Sequence, residues 1–328
     1  MRVAPLQVWG MPCKKSKEMN KVVYICSAGH SGSTLLDLLI GSHSKVSSLG
    51  EISQLPKNLA LNTMCTCGKK VRDCSVWTEV VEKLSRELGV SIRDNPYALN
   101  LGYYSARVVV DRDQQNITHR IKRKIILGLW YVKLRYDIPI PERIIGKVIE
   151  GAGNSFMLYN HVNDLLNTEI VVDSSKNYLK AMSLYKLNPE GVKIILLSRD
   201  GRGVFYSGRK RGFSKKESLA SWRKYYSRAI PLLQMHVNGK DVLNVSYESL
   251  AENPTEALKT ICDFIGVEFE DGMLDPSLKV HHVTNGNNMR FKKLAIKPDY
   301  SWKEGLSAQD KSYFESKAKR LNEKLGYK

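Results

Sequence analysis

The sequence has 328 residues, a formal net charge of +18, an isoelectric point near 9.5 and 42% hydrophobic residues. This length suits one large α/β domain or two small ones, and the absence of an apolar run of about 18 residues argues against a membrane-spanning helix. The charge is compatible with a lysine-rich surface or with a polyanionic ligand such as nucleic acid, an acidic glycan or a multiply charged nucleotide. Residues 1–20 lack the apolar core of a signal peptide and predict a loose leader ahead of a cytoplasmic domain, residues 21–328.

The first structured segment is expected to be a strand that turns tightly into a helix. Val22 to Cys26 is apolar and β-branched, which predicts a buried strand, and leucines at helical spacing follow from Leu35 to Leu39. Such a turn directs backbone N–H groups and the positive end of a helix at one point, which is typical of a phosphate site. The candidate anion ligands are Gly29, His30, Ser31, Gly32, Ser33 and Thr34.

The loop differs from the phosphate loop of nucleotide kinases in one position. That motif has a lysine after its second glycine, whereas Ser33 follows Gly32 here. This difference argues against a nucleotide kinase or another P-loop phosphotransferase, which stays an alternative. A basic nucleic-acid-binding protein is a second alternative, suggested by charge alone, and no nucleic-acid-binding motif supports it.

Apolar segments along the chain predict a mostly parallel central sheet with helices on both faces, an α/β fold of P-loop-like type. The expected strands are residues 22–26, 46–49, 169–173, 192–198 and 242–247. Residues 55–165 do not follow this alternation and predict a largely helical insertion. The expected helices are 76–88, 142–166, 180–187, 215–236, 255–265 and 307–325, with another that begins near Val204.

Cysteines fall into two groups. Cys26 and Cys262 lie in apolar contexts typical of core thiols. Cys65, Cys67 and Cys74 lie close together in the chain, but no fourth ligand has a suitable spacing for zinc, so a disulfide or packing under a tryptophan is at least as plausible.

Two polar residues follow predicted strands and are therefore candidates for the same end of the sheet. Glu51 follows the second strand, and Lys176 closes the Asp-Ser-Ser-Lys turn after the third. Ligands of α/β sheets collect at the carboxyl ends of strands, so both side chains are expected near the anion loop. A solvated, helix-capping role for Glu51 is an equally good explanation of its position.

The anion loop and a second motif resemble those of sulfotransferases that use 3′-phosphoadenosine-5′-phosphosulfate (PAPS). Ser31-Gly32-Ser33-Thr34 is similar to the 5′-phosphosulfate loop, with His30 where the family usually has Lys or Arg. Arg199 at a strand end and Ser207 eight residues later are similar to the pair that binds the 3′-phosphate. The resemblance covers roughly residues 21–53 and 169–305 and is poor across the insertion at residues 55–165, which it implies forms the acceptor side.

The resemblance also implies further ligands of the nucleotide. Arg211 lies one helical turn after Ser207, and Tyr247 begins a stretch that the family places near the nucleotide. Trp222 could flank the adenine or pack in the core. Arg290 belongs to a loop that resembles a late cofactor-closing loop, and would bind phosphate.

The resemblance implies in-line transfer of a sulfuryl group to a hydroxyl or amine, with release of adenosine 3′,5′-bisphosphate (PAP). Glu51 is the candidate base, in a position similar to that of the base in tyrosylprotein sulfotransferases. Lys176 and a cationic His30 are candidates for contacting the bridging oxygen, and His30 could instead be the base. No metal is expected, because arginine, lysine and backbone N–H groups can hold the leaving anion. The expected acceptor is a small molecule or glycan rather than nucleic acid, and the oligomeric state is not indicated.

Overall fold

The structure is a computed structural model, and it describes residues 21–101, 117–292 and 296–328. The predicted leader at residues 1–20 lies outside these ranges.

Five parallel strands form one sheet at the centre of the fold. They are β1 Lys21–Ser27, β2 Val46–Ser48, β3 Ile170–Lys176, β4 Val192–Ser198 and β5 Val242–Ser246. Their order across the sheet is β2-β3-β1-β4-β5, and every neighbouring pair is parallel. The predicted central parallel sheet is therefore confirmed, with strand ends at most three residues from those expected.

The first strand lies between the third and the fourth. Val22 pairs with Val171 of β3 on one side and with Val192 of β4 on the other, so β1 is not adjacent in the sheet to β2, the next strand in the sequence. The chain passes from β1 to β2 at one edge of the sheet and from β4 to β5 at the other edge. Because these two connections leave in opposite directions, a crevice opens at the carboxyl ends of β1, β3 and β4. The polar segments expected to bind a ligand follow β1, β2, β3 and β4, whereas Tyr247 and Arg290 follow β5.

Helices cover the sheet and account for most of the remaining described chain. They are α1 Ser33–Gly41, α2 Leu55–Leu61, α3 Ser75–Leu88, α4 Ile117–Tyr136, α5 Glu142–Leu166, α6 Tyr178–Leu187, α7 Gly201–Lys210, α8 Lys215–His236, α9 Tyr247–Glu252, α10 Pro254–Ile265, α11 Trp302–Gly305 and α12 Ala308–Lys324. Helices α2 to α5 lie between β2 and β3, so the segment predicted as a helical insertion is largely helical where it is described.

Two apolar cores, one on each face of the sheet, show that the fold is doubly covered. One core combines alternate residues of β1 and β4 with α3, α5, α6 and α8, and includes Trp77, Trp130 and Trp222. The other combines the opposite residues of the same strands with α1 and α10. Because successive strand residues point to opposite faces, strands with both faces covered are largely apolar, and Val192 to Leu197 is apolar except at Lys193.

The start of α7 is the clearest boundary error. The sequence predicts a helix from about Val204, whereas α7 begins at Gly201. Asp200 caps this end, because its carboxylate accepts a hydrogen bond from the backbone N–H of Arg202 at 2.9 Å. The early start matters for the site, because only Arg199 and Asp200 separate the end of β4 from the beginning of α7. Within the described ranges, every helix is too short or too polar to cross a membrane.

Candidate active site

The loop between β1 and α1 has the tight turn that the sequence predicts. His30 and Gly32 adopt left-handed backbone conformations with φ of 68° and 87°. Ser31 is fully buried, and its hydroxyl lies 3.4 Å from the hydroxyl of Tyr226. Tyr226 also accepts from the backbone N–H of Ala28 at 3.3 Å and donates to the carbonyl of Leu197 at 2.7 Å. One buried tyrosine on α8 thus ties the anion loop to the end of β4.

Gly32 is required by its neighbour as well as by its backbone. A Cβ atom at this position would lie 2.6 Å from a ring carbon of Tyr247. An added Cβ at Gly29, by contrast, would meet nothing within 4 Å. The ring of Tyr247 therefore closes one side of the loop, while the side at Gly29 is open.

Arg199 joins the second motif to the anion loop. Its guanidinium donates to the carbonyl of His30 at 3.2 Å and lies 4.5 Å from the centre of the Tyr247 ring. It also forms an ion pair with Asp299 at 2.9 Å, in which the arginine side chain is 10% exposed and the aspartate 55%. Burial alone would raise the pKa of Asp299, but hydrogen bonds from Ser301 and Arg199 outweigh it and the pKa is lowered. The carboxylate is therefore charged where it meets the guanidinium.

Ser207 and Arg211 extend this cluster of cations and donors. The guanidinium of Arg211 donates to the Ser207 hydroxyl at 3.0 Å and contacts the His30 ring, 2.5 Å from Nε2 and 3.1 Å from Nδ1. The guanidinium thus contacts both ring nitrogens of His30, and a neutral imidazole could accept from it at only one of them.

A cavity of about 340 Å³ opens beside these side chains. Its lining combines positive groups, a hydroxyl and aromatic rings, with Asp299 at its edge. The lining residues are Arg199, Gly203, Tyr206, Ser207, Lys210, Arg211, Asp299, Ser301 and Trp302. The arrangement provides two planar cations, a point cation and serine hydroxyls for an anion, next to aromatic surface for a ring.

Glu51 and Lys176 meet at the opposite end of the anion loop. The Lys176 ammonium lies 2.5 Å from a carboxylate oxygen of Glu51, and the two side chains are 22% and 25% exposed. Lys176 has a left-handed backbone, φ 68°, and its carbonyl accepts from the hydroxyl of Tyr225. The backbone N–H of Glu51 donates to the carbonyl of Asn285 at 3.4 Å, so a third segment contacts the pair.

Arg290 lies on the Glu51 side of the crevice and is absent from the lining of the cavity beside Arg199. Its guanidinium donates to the carbonyl of Gly286 at 2.6 Å. Burial lowers the pKa of Arg290, and the charge of Glu51 acts in the opposite direction. The segment also contacts the anion loop directly, because the backbone N–H of Asn287 donates to the Thr34 hydroxyl at 3.1 Å.

A buried ion pair supports the turn that carries Lys176. Lys180 and Asp173 are both fully buried, with 2.9 Å between the ammonium and the carboxylate. Asp173 also accepts from the hydroxyl of Tyr159 at 2.5 Å and from the backbone N–H of Ser175 at 2.8 Å. Lys180 donates in addition to the hydroxyl of Ser53 at 3.1 Å. This network fixes the backbone immediately before Lys176 and immediately after Glu51.

The structure brings the sequence-predicted residues together in two groups along the loop. His30, Arg199, Ser207, Arg211 and Tyr247 form one, and Glu51, Lys176, Thr34 and Arg290 the other. Trp222 is fully buried against Tyr226 and Phe314 and belongs to the core.

Sequence patterns missed three residues of this region. Tyr226 and Asp299 carry no motif, and only their contacts with residues far away in the chain reveal them. Spacing in the sequence gives the three clustered cysteines no fourth ligand, but in the structure His282, 208 residues from Cys74, places Nδ1 3.2 Å from the Cys74 sulfur. The adjacent histidines 281 and 282 were the available signal.

The known proteins to which this chain is similar include several sulfotransferases. Carbohydrate sulfotransferase 1 from Danio rerio is 29% identical over 171 residues, which are 42% of this chain and 38% of that protein. The chain therefore spans well under half the length of this relative. The sulfotransferase domain from the curacin biosynthetic pathway is 17% identical, covers 94% of this chain and 98% of its own, and has a TM-score of 0.48.

A second solved structure, the sulfotransferase domain from the Synechococcus PCC 7002 olefin synthase, is 18% identical and has a TM-score of 0.45, covering 96% of this chain and 98% of its own. A family model described as the sulfotransferase family matches residues 103–271. Because this match covers just over half of the 328 residues, the chain belongs to the sulfotransferase family.

Proposed function

We propose that the protein transfers a sulfuryl group from PAPS to a hydroxyl or amine of an acceptor and releases PAP. The observation that carries the proposal is the position of Arg199, which bonds the anion loop and lines a cavity shared with Ser207 and Arg211. A nucleotide with phosphates at both the 5′ and the 3′ positions needs two anion sites on one side of a nucleoside. The loop after β1 and the cluster after β4 are two such sites, joined by the contacts of Arg199 and Arg211 with His30.

The residues fit this donor in number and type. Backbone N–H groups of the loop and the hydroxyls of Ser33 and Thr34 would hold the 5′-phosphosulfate at the start of α1. Arg199, Ser207 and Arg211 would hold the 3′-phosphate. Tyr247 would pack on the nucleotide beside Gly32. When bound, the donor supplies an activated sulfuryl group whose leaving group is a phosphate.

Glu51 is proposed as the base that takes the proton from the acceptor, and Lys176 as the cation that stabilises charge on the leaving phosphate. The 2.5 Å contact between them supports a shared location at the crevice. It also means that Lys176 must share its charge between Glu51 and the leaving group. Arg290, on the same side, would add a second positive charge at that point.

His30 is the alternative base. It lies in the loop that follows β1, and its ring contacts the guanidinium of Arg211. To act as the base, His30 would have to leave Arg211 and contact the hydroxyl or amine of the acceptor instead. Kinetics of the single variants, described in the Discussion, separate the two assignments.

The acceptor is proposed to be a small molecule or a glycan. Helices α2 to α5 lie between β2 and β3, and Glu51 stands at the beginning of this segment. The partial match to a carbohydrate sulfotransferase supports including sugar hydroxyls among the first acceptors tested.

Calorimetric titration with PAP, 5′-AMP, ATP and a single-stranded oligonucleotide tests the donor site. PAP should bind most tightly. Arg199→Ala should weaken PAP binding by roughly 10- to 100-fold, because charge-assisted hydrogen bonds of about 1.5–3 kcal/mol are lost. Binding of 5′-AMP should change little, because it has no 3′-phosphate.

Arg209→Ala is the matched control, since Arg209 lies on the same helix but contacts Asp310 and not the cavity. It should bind PAP like the unmodified protein. Tightest binding of ATP would favour a kinase, and binding of the oligonucleotide alone would favour a nucleic-acid-binding protein. Equal losses of PAP and 5′-AMP affinity in Arg199→Ala would refute the assignment of the 3′-phosphate site. Transfer of labelled sulfate from PAPS to a panel of sugars, tyrosine peptides, alcohols and amines then tests the reaction itself.

A further inference from the structure

Four metal-binding side chains converge away from the anion loop. The sulfur atoms of Cys65, Cys67 and Cys74 and a ring nitrogen of His282 all lie within 4.8 Å of one another. Cys65 and Cys74 are fully buried, and Cys67 and His282 are half-buried. Nothing in the proposed sulfuryl transfer uses them.

The backbone holds the three cysteines around one point. An antiparallel bridge between Met64 and Lys70 closes the loop that carries Cys65 and Cys67. The backbone N–H of Gly68 donates to the carbonyl of Cys65 at 3.1 Å, and Gly68 has a left-handed backbone with φ of 86°. Cys74 then lies immediately before α3. The first two thiols come from a tight turn and the third from the beginning of a helix.

His282 is held against this loop by hydrogen bonds on both sides of it. Its carbonyl accepts from the indole N–H of Trp77 at 2.8 Å. The next residue, Val283, accepts from the backbone N–H of Thr66 at 3.1 Å and donates to the Thr66 hydroxyl at 2.9 Å. The imidazole therefore reaches the thiols from a backbone that is fixed independently of them.

We propose that Cys65, Cys67, Cys74 and His282 bind one structural zinc ion. Three thiolates and one imidazole are a common tetrahedral set for zinc. Zinc at about 2.3 Å from sulfur and about 2.0 Å from nitrogen places its ligands about 3.5–3.8 Å apart. The 3.2 Å between the Cys74 sulfur and His282 Nδ1 is close to this range, and the upper bound of 4.8 Å requires shifts of about 1 Å at most. Four protein ligands leave no open position for a substrate, so the ion stabilises structure.

The ion would cross-link two segments that both reach the crevice. Three residues after His282, the carbonyl of Asn285 accepts from the backbone N–H of Glu51, and the backbone N–H of Asn287 donates to Thr34. Zinc would therefore fix the 282–287 segment against the loop at residues 65–74. This consequence depends on the contacts of the segment and not on the reaction catalysed.

The test uses the full-length protein, purified under reducing conditions without chelator. Elemental analysis should find about one zinc per chain. After removal by a chelator, titration with Zn²⁺ should restore one equivalent, and Co²⁺ should give the visible absorption of tetrahedral cobalt bound to thiolates. A protein that takes up neither metal at one equivalent overturns the proposal.

Single substitutions identify the ligands. Cys67→Ser and His282→Asn should weaken zinc binding by at least about tenfold. Cys262→Ser and His161→Asn are matched controls, since these residues lie outside the cluster, and should retain the full equivalent. Cys67 is half-buried, so this variant is the one best suited to fold. Equal zinc binding by the cluster variants and the controls, or a disulfide among the three cysteines in the isolated metal-free protein, refutes the site.

Hydrogen exchange measures the cross-link separately. Removing zinc from the unmodified protein should speed exchange of the amides of residues 282–287 and of Glu51. Unchanged exchange at these amides in a protein that has lost its zinc would show that the ion does not fix this segment.

Discussion

The buried pair of Lys180 and Asp173 leads to a quantitative prediction about stability. Both side chains are 0% exposed, and the ammonium lies 2.9 Å from the carboxylate. Lys180→Met keeps a long apolar side chain but leaves the Asp173 carboxylate with only the Tyr159 hydroxyl and the Ser175 amide. Removing one partner of a buried pair costs about 3–5 kcal/mol, because the remaining charge is desolvated without compensation.

Lys193 provides a matched control for this perturbation. Its ammonium lies 2.7 Å from Asp241, but the side chains are 30% and 8% exposed. At an effective dielectric constant of about 20, both pairs have a Coulomb attraction of about 6 kcal/mol, so distance does not distinguish them. The exposed fraction of the lysine distinguishes the two pairs, because water can replace the ammonium of the partly exposed Lys193. Lys193→Met should therefore cost less than Lys180→Met.

Urea unfolding monitored by circular dichroism and by tryptophan fluorescence measures both costs, and coincidence of the two signals checks that one transition is observed. Asp173→Asn combined with Lys180→Met should cost less than the sum of the two single substitutions, since neither charge is then left alone. The reasoning is refuted if Lys180→Met costs no more than Lys193→Met, or if the two substitutions in the buried pair are additive.

The remaining predictions concern the reaction and the effect of pH. Glu51→Gln should lower kcat by roughly 10²–10⁴ with nearly unchanged PAP affinity, whereas normal turnover of this variant together with a comparable loss in His30→Asn would assign the base to His30. Asp37 is buried, which raises its pKa from 3.8 to about 7 despite a hydrogen bond from Ser48. Because the folded state holds this proton more tightly, Asp37 contributes stability below about pH 4 that is lost as the pH rises through 7, by at most ~1.4 kcal/mol per pH unit. Asp37→Asn should remove this component from the pH dependence of the unfolding free energy, and an unchanged dependence in the variant would contradict the assignment.

Strands and long helices could be predicted because their signals are local. Val192 to Leu197 is apolar at every position except Lys193, which indicates a strand covered on both faces, and the structure places it beside β1 in the sheet. Helices α5 and α8 begin and end at the predicted residues. In each case the periodicity of apolar residues within one segment was sufficient.

Contacts between distant segments could not be predicted in the same way. The anion loop and the Arg199 motif could be identified because each is a short motif after a strand. Asp299 pairs with Arg199 across 100 residues, and His282 reaches Cys74 across 208. No periodicity or spacing within either segment encodes these distances, because they depend on how the loops after β5 fold back over the sheet.

The two groups of charged residues differ in how readily an anion could compete for their cations. Arg199 is paired with Asp299, whose side chain is 55% exposed, whereas Lys176 is paired with Glu51, which is 25% exposed. An ion pair with a solvent-exposed partner contributes about 0–1 kcal/mol, less than the about 1.5–3 kcal/mol of a charge-assisted hydrogen bond to phosphate. Under the proposed function, the 3′-phosphate therefore displaces Asp299 from Arg199 at little cost. Glu51 has less freedom to leave, so the proposed base and the proposed cation stay in contact while the donor binds.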